Sequence, residues 1–150
     1  MNGKLYTEKK DMKHADNSIL IRRYEPESDD EEMLFQLLKR EGDEWQDSWK
    51  GEGRSAYQKA LCSSITYLLF DGTELCGFAR CRDDNGFGFY VYDLLVDKKQ
   101  RGKEYGRMLM EQAYHDFPND VVYVMSDVDP YYEKLGYEKE GTIFTVKPKR

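Results

Sequence analysis

Two tight-turn signals in the middle of the chain limit the fold more than any other feature of the sequence. Asp71-Gly72 separates the apolar runs SITYLLF and ELCGFARCR, and the tetrapeptide DDNG precedes a third run, FGFYVYDLLV. Asp-Gly and Asn-Gly favour the two-residue turns that join antiparallel strands. The pattern therefore predicts a three-stranded antiparallel meander over residues 64–96.

Helical and extended patterns lie on both sides of this meander. Before it come a first strand, SILIRRYEP, a helix with apolar residues at helical spacing, the structured loop EGDEWQDSWKGEG and a second short helix, SAYQKAL. After it come a helix that Pro118 ends, the buried strand VVYVMS, the short helix PYYEKL and a last strand, TIFTV, with a minor strand at YEKE.

The predicted order is therefore β-α-α-β-β-β-α-β-α-β. We expect an α+β (mixed α/β) fold, in which helices flank a central mixed, mostly antiparallel sheet. A chain of 150 residues suits a single domain, 1–150, with residues 1–17 as a frayed polar start.

Composition excludes several classes of function. The net charge of −6 argues against nucleic acid as the main partner, and no apolar run approaches the ~18 residues of a membrane span. Without an apolar leader the chain is expected to be cytoplasmic. Three cysteines without C-x-x-C spacing and two distant histidines predict no disulfide framework, no metal site and no Ser-His-Asp triad.

The run QRGKEYG lies where the meander is followed by a helix. A helix N-terminus offers unpaired N–H groups and about half a positive charge, so a glycine-containing turn before it can surround a phosphate. Arg101 and Lys103 would add charged contacts. Alternatively, Gly102 and Gly106 serve turn geometry and packing, and the cations form a solvated surface.

A longer run, YDLLVDKKQRGKEYGRMLM, resembles the acetyl-CoA-binding motif of the GNAT superfamily of N-acetyltransferases, [RQ]-x-x-G-x-[GA]. Arg101 and Gly106 match its first and last positions, whereas Glu104 replaces the middle glycine. That carboxylate must point outward, or cofactor affinity will suffer. Downstream, YYEKLGY is similar to the family's [FY]-Y-E-K-L-G-[FY]. The resemblance implies a GNAT-type sheet over about residues 18–147.

The resemblance also implies that acetyl-CoA is a co-substrate. The third meander strand and the Val-rich strand should splay apart, so that the pantetheine arm pairs with the backbone of Leu94, Leu95 and Val96. The diphosphate is then expected at the loop and helix start, formed by Arg101, Gly102, Lys103, Glu104, Tyr105, Gly106 and Arg107.

Acetyl transfer to an amine needs a proton donor for the departing thiolate and a group that takes a proton from the amine. Tyr132 occupies the position of the family's general-acid tyrosine, and Tyr131 is expected to be a core residue. Asp93 is the candidate base, directly or through water, since an aspartate inside a strand is otherwise unfavourable; the alternative is pairing around a local bulge. Some relatives carry Glu at the place of Tyr92, which weakens any transfer of their mechanism.

The acceptor is expected against the first two helices and their loop. Acids with Trp45 and Trp49 could hold a cation, and Tyr90 and Tyr92 could form the wall of the pocket; alternatively the tryptophans fill the core. These features predict a small-molecule or peptide amine as acceptor. A non-catalytic acetyl-CoA-binding regulatory module and an acidic interaction protein are the competing hypotheses. The chain is expected to be a monomer or a homodimer.

Overall fold

The computed structural model describes residues 18–28 and 31–149, so the segment 1–17, expected to be frayed, lies outside the described part. Five strands form one sheet: β1 (Ile19–Arg23), β2 (Ile65–Asp71), β3 (Glu74–Asp83), β4 (Phe89–Val96) and β5 (Val122–Val124). The helices are α1 (Glu31–Glu41), α2 (Gln46–Trp49), α3 (Glu52–Cys62), α4 (Tyr105–Asp116) and α5 (Asp129–Lys134). Short 3-10 turns occupy Asp43–Trp45 and Lys98–Gln100.

The strand order in space is β1-β2-β3-β4-β5, which follows the order along the chain. The pairs β1–β2, β2–β3 and β3–β4 are antiparallel, whereas β4 and β5 are parallel. The predicted meander is confirmed, and so is the mixed, mostly antiparallel sheet. Gly72 has a φ of +64° in the first turn, a backbone conformation that glycine adopts without steric cost.

Each face of the sheet has its own apolar core. On one face, α4 packs its buried side chains Met108 and Leu109 against strand residues such as Leu69 and Val91. On the other face, α1 and α3 cover Phe78 and its neighbours. None of the helices in the described residues is long and apolar enough to cross a membrane.

Four predictions about elements need correction. The expected loop EGDEWQDSWKGEG contains a 3-10 turn and α2, and the helix expected at SAYQKAL extends over Glu52–Cys62. The last strand, TIFTV, and the minor strand, YEKE, are not formed, and residues 138–149 are exposed throughout. An extended segment becomes a strand only when its backbone pairs with a neighbour, and within residues 18–28 and 31–149 this one has none.

Candidate active site

The strand β4 contains a bulge in its middle. Arg80 on β3 lies opposite Asp93, and the next residue, Cys81, lies opposite Val91, so Tyr92 is an extra residue. In such a bulge two residues of one strand face one residue of the other, which interrupts the alternation of side chains. Consequently Tyr92 and Asp93 both meet Arg80 on the α1 and α3 face, whereas Val91 belongs to the α4 face.

The parallel ladder between β4 and β5 stops at the pair Val91 and Val124. Beyond that point β4 continues as far as Val96. Leu94, Leu95 and Val96 pair with β3 on one side only. In the described part of the sheet their other edge belongs to no ladder, so the residues expected to bind pantetheine lie on an open edge of β4.

Asp93 is the centre of a hydrogen-bonded cluster. The hydroxyl of Tyr57 on α3 and Nε of Arg80 both donate to its Oδ2, each at 2.6 Å. Burial, reinforced by the nearby carboxylate, raises the pKa of Tyr57 above its ordinary value. Neither partner was predicted from the sequence. The Arg80 pair could have been found from the register of the predicted hairpin, but the approach of Tyr57 depends on how α3 packs.

A row of tyrosine rings lies beside this cluster. Tyr90 stacks on Tyr92, with ring centroids 6.1 Å apart, and on Tyr123 of β5 at 5.1 Å. The guanidinium of Arg80 lies 5.8 Å from the centroid of the Tyr92 ring. Tyr92 is 37% exposed, so part of this surface is open to a ligand. The structure thus brings Tyr90 and Tyr92 together with Asp93 and adds Tyr123, which the sequence analysis did not select.

The two tryptophans have a different environment. Trp45 packs edge-on against the buried ring of Phe78, with centroids 6.4 Å apart. The indole N–H of Trp49 donates to the carbonyl oxygen of Gly42 at 3.5 Å, and the Lys39 ammonium lies 5.8 Å from its ring centroid. Both rings pack against the α1 and α3 core, which is the alternative that the sequence analysis allowed for them.

Glu104 occupies a backbone conformation that favours glycine. Its φ is +66° and its ψ is +19°, in the left-handed region, immediately before α4. A side chain there costs roughly 1 kcal/mol relative to glycine. The Glu104 side chain is 61% exposed and accepts a hydrogen bond from Nε of Arg107 at 2.8 Å. The carboxylate therefore lies at the protein surface, beside the loop expected to bind the diphosphate.

Two arginines expected at the diphosphate have carboxylate partners within the chain. One Nη of Arg101 donates to both carboxylate oxygens of Glu41 at 2.8 Å. Arg107 is paired with Glu104 and, at 2.8 Å, with Glu111. These ion pairs reduce the side-chain charge that an anion in the loop would meet.

The remaining donors of the loop are a lysine and backbone amides. Lys103 is exposed and bonds the side-chain oxygen of Gln100 at 2.8 Å. The amides of Gly106 and Arg107 lie in the first turn of α4, where an α-helix provides no intrahelical acceptor. The helix start is thus the strongest feature for an anion in this loop, and the arginine side chains are secondary.

Asp97 holds the beginning of the loop in place, a role that was not predicted from the sequence. It is only 5% exposed, and it accepts hydrogen bonds from Arg40 on α1, at 2.9 and 3.2 Å, and from the amide of Lys99 at 3.1 Å. Burial alone would raise the pKa of Asp97, but these donors hold it below its ordinary value. The loop is therefore tied to α1 by a buried carboxylate.

Tyr131 of α5 lies near the start of α4. The hydroxyl oxygen of Tyr131 is 2.6 Å from the position that a Cβ on Gly106 would take, and Leu94 borders the same position. Tyr131 is 40% exposed, so it is not the core residue that the sequence suggested. A side chain at 106 would therefore require the Tyr131 hydroxyl to move.

Tyr132 is half-buried between its neighbours. Its ring centroid lies 5.0 Å from that of Tyr131 and 6.4 Å from that of Tyr137. Burial, with a smaller contribution from Tyr131 and Asp127, raises the pKa of Tyr132 to about 12. Tyr132 is therefore neutral at physiological pH and carries a proton that it can donate.

The chain is similar to known acetyltransferases in both sequence and fold. A sequence profile described as "Acetyltransferase (GNAT) family" matches residues 30–137. An uncharacterized N-acetyltransferase of Porphyra purpurea is 30% identical over 73 residues, 45% of this chain and 42% of that protein. The chloroplastic GCN5-related N-acetyltransferase 2 of Arabidopsis thaliana is 31% identical over 72 residues, 45% of this chain and 28% of that protein. The matched segment thus spans less than half of these curated relatives.

A solved structure shares the fold over most of the chain. It is a GNAT family acetyltransferase from Streptococcus pneumoniae, which aligns with 87% of this chain and 99% of its own at 24% identity and a TM-score of 0.65. GNAT enzymes generally use acetyl-CoA as co-substrate and act on amines. The profile match covers more than half of the chain, and the fold agrees with it. The chain therefore belongs to the GNAT family of acetyltransferases.

Proposed function

We propose that this protein is an N-acetyltransferase with one catalytic domain, which moves the acetyl group of acetyl-CoA to a primary amine by direct attack in a ternary complex. The observation that carries the proposal is the open edge of β4 over 94–96, together with its position beside the start of α4: Leu94 and the Tyr131 hydroxyl both lie within 4 Å of the position that a Cβ on Gly106 would take. The predicted cytoplasmic location stays a prediction; one relative named above is chloroplastic.

The residues present fit acetyl-CoA. Leu94, Leu95 and Val96 lie at an unladdered edge, which suits the amide groups of a pantetheine arm; the carbonyl oxygen of Val96 already accepts a hydrogen bond from Nε of Arg101 at 3.0 Å. The amides of Gly106 and Arg107 suit its diphosphate, and Lys103 adds a nearby cation. The bound thioester supplies an activated acetyl group, and one backbone N–H of β4 polarises the carbonyl that the amine attacks.

Asp93 and the tyrosine row form the acceptor side in this proposal. Among the described residues Oδ2 of Asp93 receives the bonds from Tyr57 and Arg80, and no bond to Oδ1 is seen. Oδ1 is therefore assigned to take a proton from the ammonium of the acceptor, directly or through water. The rings of Tyr90 and Tyr92 hold the same cation before it is deprotonated.

Tyr132 is proposed as the proton donor to the departing thiolate. Its pKa of about 12 exceeds the pKa of an ordinary thiol, about 8.5. Full proton transfer to the thiolate is thus unfavourable at equilibrium, and Tyr132 acts mainly by donating a strong hydrogen bond as negative charge develops on sulfur. Because the neutral phenol persists to about pH 11, titration of Tyr132 should not reduce the rate below that pH.

Free-thiol release from acetyl-CoA, measured with a panel of small amines, aminoglycosides and peptides, tests the activity. Turnover with at least one primary amine, and none with the matching alcohol, is expected. Tight coenzyme A binding without turnover across the panel would favour a regulatory module instead.

Tyr132→Phe tests the assigned donor, with Tyr131→Phe as the matched control on the same helix. We expect Tyr132→Phe to lower kcat roughly 100-fold while the Kd for coenzyme A stays within about twofold. Tyr131→Phe should leave kcat within about threefold. If Tyr131→Phe gave the larger loss, the proton donor would be Tyr131, whose hydroxyl lies beside Gly106 and Leu94.

A further inference from the structure

Arg82 on β3 has no acidic partner in the described part of the chain. Its Nη1 donates one long hydrogen bond, to the hydroxyl of Ser63 at 3.4 Å, and its side chain is exposed. By contrast, six other arginines pair with a carboxylate: Arg23, Arg40, Arg54, Arg80, Arg101 and Arg107. A guanidinium that is open to solvent suits a carboxylate or a phosphate, which it can bind through two hydrogen bonds.

The register of the sheet places Arg82 on the acceptor side of the proposed site. Arg82 lies opposite Tyr90 and two residues after Arg80. Side chains two apart in a strand share a face, so both arginines lie on the α1 and α3 face, roughly 7 Å apart along β3. The next residue, Asp83, lies opposite Phe89, whose ring belongs to the α4 core. The Asp83 position is therefore on the other face of the sheet.

The charge of Asp93 is balanced before any ligand binds. Nε of Arg80 lies 2.6 Å from Oδ2 of Asp93, and the two side chains are only 16% and 18% exposed. The two charges of this pair largely cancel at a distance, so Arg82 determines the sign of the surrounding face. An acceptor that carries an acidic group as well as its amine would meet an opposite charge at both ends.

The tyrosine row adds hydrogen-bond donors beside Arg82. Within residues 18–28 and 31–149 the hydroxyls of Tyr90, Tyr92 and Tyr123 make no hydrogen bond, whereas the hydroxyl of Tyr57 donates to Asp93. A phenol can donate to an anion. A Cβ on Gly88 would lie 2.9 Å from Cε2 of Tyr90 and 3.1 Å from Cε2 of Tyr123. Glycine at 88 thus leaves room for these rings to stand together.

We propose that Arg82 binds an acidic group of the acceptor, so that the substrate is an amine that also carries a carboxylate or a phosphate. This inference rests on the proposed function and names the class of its acceptor. The nitrogen lies at Oδ1 of Asp93, the acidic group at Arg82, and the rings of Tyr90 and Tyr92 between them. The spacing of the two arginines, roughly 7 Å, suits an acid several bonds from the nitrogen, as in an ω-amino acid or an aminoalkyl phosphate. The amide C–N bond forms and the thioester C–S bond breaks as proposed above, and the acidic group only orients the amine.

Titration calorimetry in the presence of coenzyme A tests this subsite without requiring turnover. Two matched pairs of amines differ in the acidic group: ε-aminocaproate with ε-aminocaproamide, and aminobutyl phosphate with aminobutanol. We expect the acid of at least one pair to bind about tenfold more tightly than its uncharged counterpart. A preference in one pair alone would identify the acidic group as a carboxylate or as a phosphate. Equal Kd values within both pairs would overturn the proposal.

Three variants assign the preference to Arg82. Arg82→Gln should raise the Kd of the preferred acid about tenfold and leave that of the uncharged amine within about twofold. Arg82→Lys keeps the charge without the planar fork and should lose less. Arg23→Gln is the matched control, because Arg23 is also exposed but lies over the rings of Tyr67 and Phe117 on the α4 face. A preference that survives Arg82→Gln, or an equal loss in Arg23→Gln, would overturn the proposal.

Free-thiol release from acetyl-CoA with the same two pairs separates this inference from the proposed function. We expect the acid to be acetylated with the higher kcat/KM. Equal kcat/KM values for acid and uncharged amine would refute the role of Arg82 and leave the acetyltransferase function intact. A tenfold preference in binding, with no thiol release from any amine, would refute the proposed function and leave the anion subsite at Arg82.

Discussion

Replacing Glu104 by glycine should both stabilise the protein and tighten its binding of coenzyme A. The left-handed backbone at 104, with φ at +66°, costs a non-glycine residue about 1 kcal/mol, and glycine removes that cost. The substitution also removes a negative charge next to the proposed diphosphate site. At ~7 Å in water each pair of unit charges interacts by about 0.6 kcal/mol, so a doubly charged diphosphate would gain roughly 1 kcal/mol.

Since 1.4 kcal/mol corresponds to a factor of ten, the Kd for coenzyme A should fall about fivefold. Titration calorimetry at low and high salt measures this, because screening should remove most of the charge effect in 1 M salt. Glu104→Gln keeps the strained backbone and removes the charge, so it should tighten binding without the gain in stability. Glu111→Gln is the control, because Arg107 pairs with both Glu104 and Glu111: this variant also removes a carboxylate partner of Arg107 but leaves residue 104 unchanged. An unchanged Kd in both Glu104 variants would refute an anion site at this loop.

Three other substitutions test the contacts around the site. Asp97→Asn should lower the free energy of unfolding by about 2 kcal/mol at pH 7. Because the folded-state pKa of Asp97 is lowered, this difference should shrink as the pH falls below about 4. Denaturant titrations that give the same difference at every pH would contradict this. Gly106→Ala should stabilise the helix by up to about 1 kcal/mol only in the Tyr131→Phe variant, because the alanine Cβ would otherwise meet the Tyr131 hydroxyl at 2.6 Å. Thermal unfolding that shows the same effect with tyrosine and with phenylalanine at 131 would argue against that contact. Tyr57→Phe should destabilise the chain by roughly 1–2 kcal/mol through its lost bond to Asp93, and urea unfolding without a change would argue against it.

Features that depend on residues close together in the sequence could be predicted from it. The Asp71-Gly72 turn fixes a hairpin locally, and the apolar stripe of α4 identifies its buried face, so the meander and the helix after it follow from short patterns. The resemblance of two motifs gave the family. The left-handed conformation of Glu104 also agrees with the glycine that the motif has at that position.

The contacts that hold the site together join residues far apart in sequence. Tyr57 reaches Asp93 across 36 positions, and Arg40 reaches Asp97 across 57. Such pairs depend on how helices pack on the sheet, which neither propensity nor periodicity describes. The strand expected at TIFTV failed for a related reason, because a strand pattern shows a capacity to pair and not the identity of its neighbour.

The extra residue at Tyr92 limits which changes of chain length this protein can tolerate. A bulged strand bends away from its neighbour, so the interruption that turns Tyr92 and Asp93 to one side also accounts for why β5 separates from β4 directly after Val91. Deleting Tyr92 would make the β3–β4 ladder regular, with Asp93 still opposite Arg80, and would let β4 and β5 continue side by side where they now separate. Changes of length at this point should therefore abolish activity far more readily than replacement of any one side chain around it.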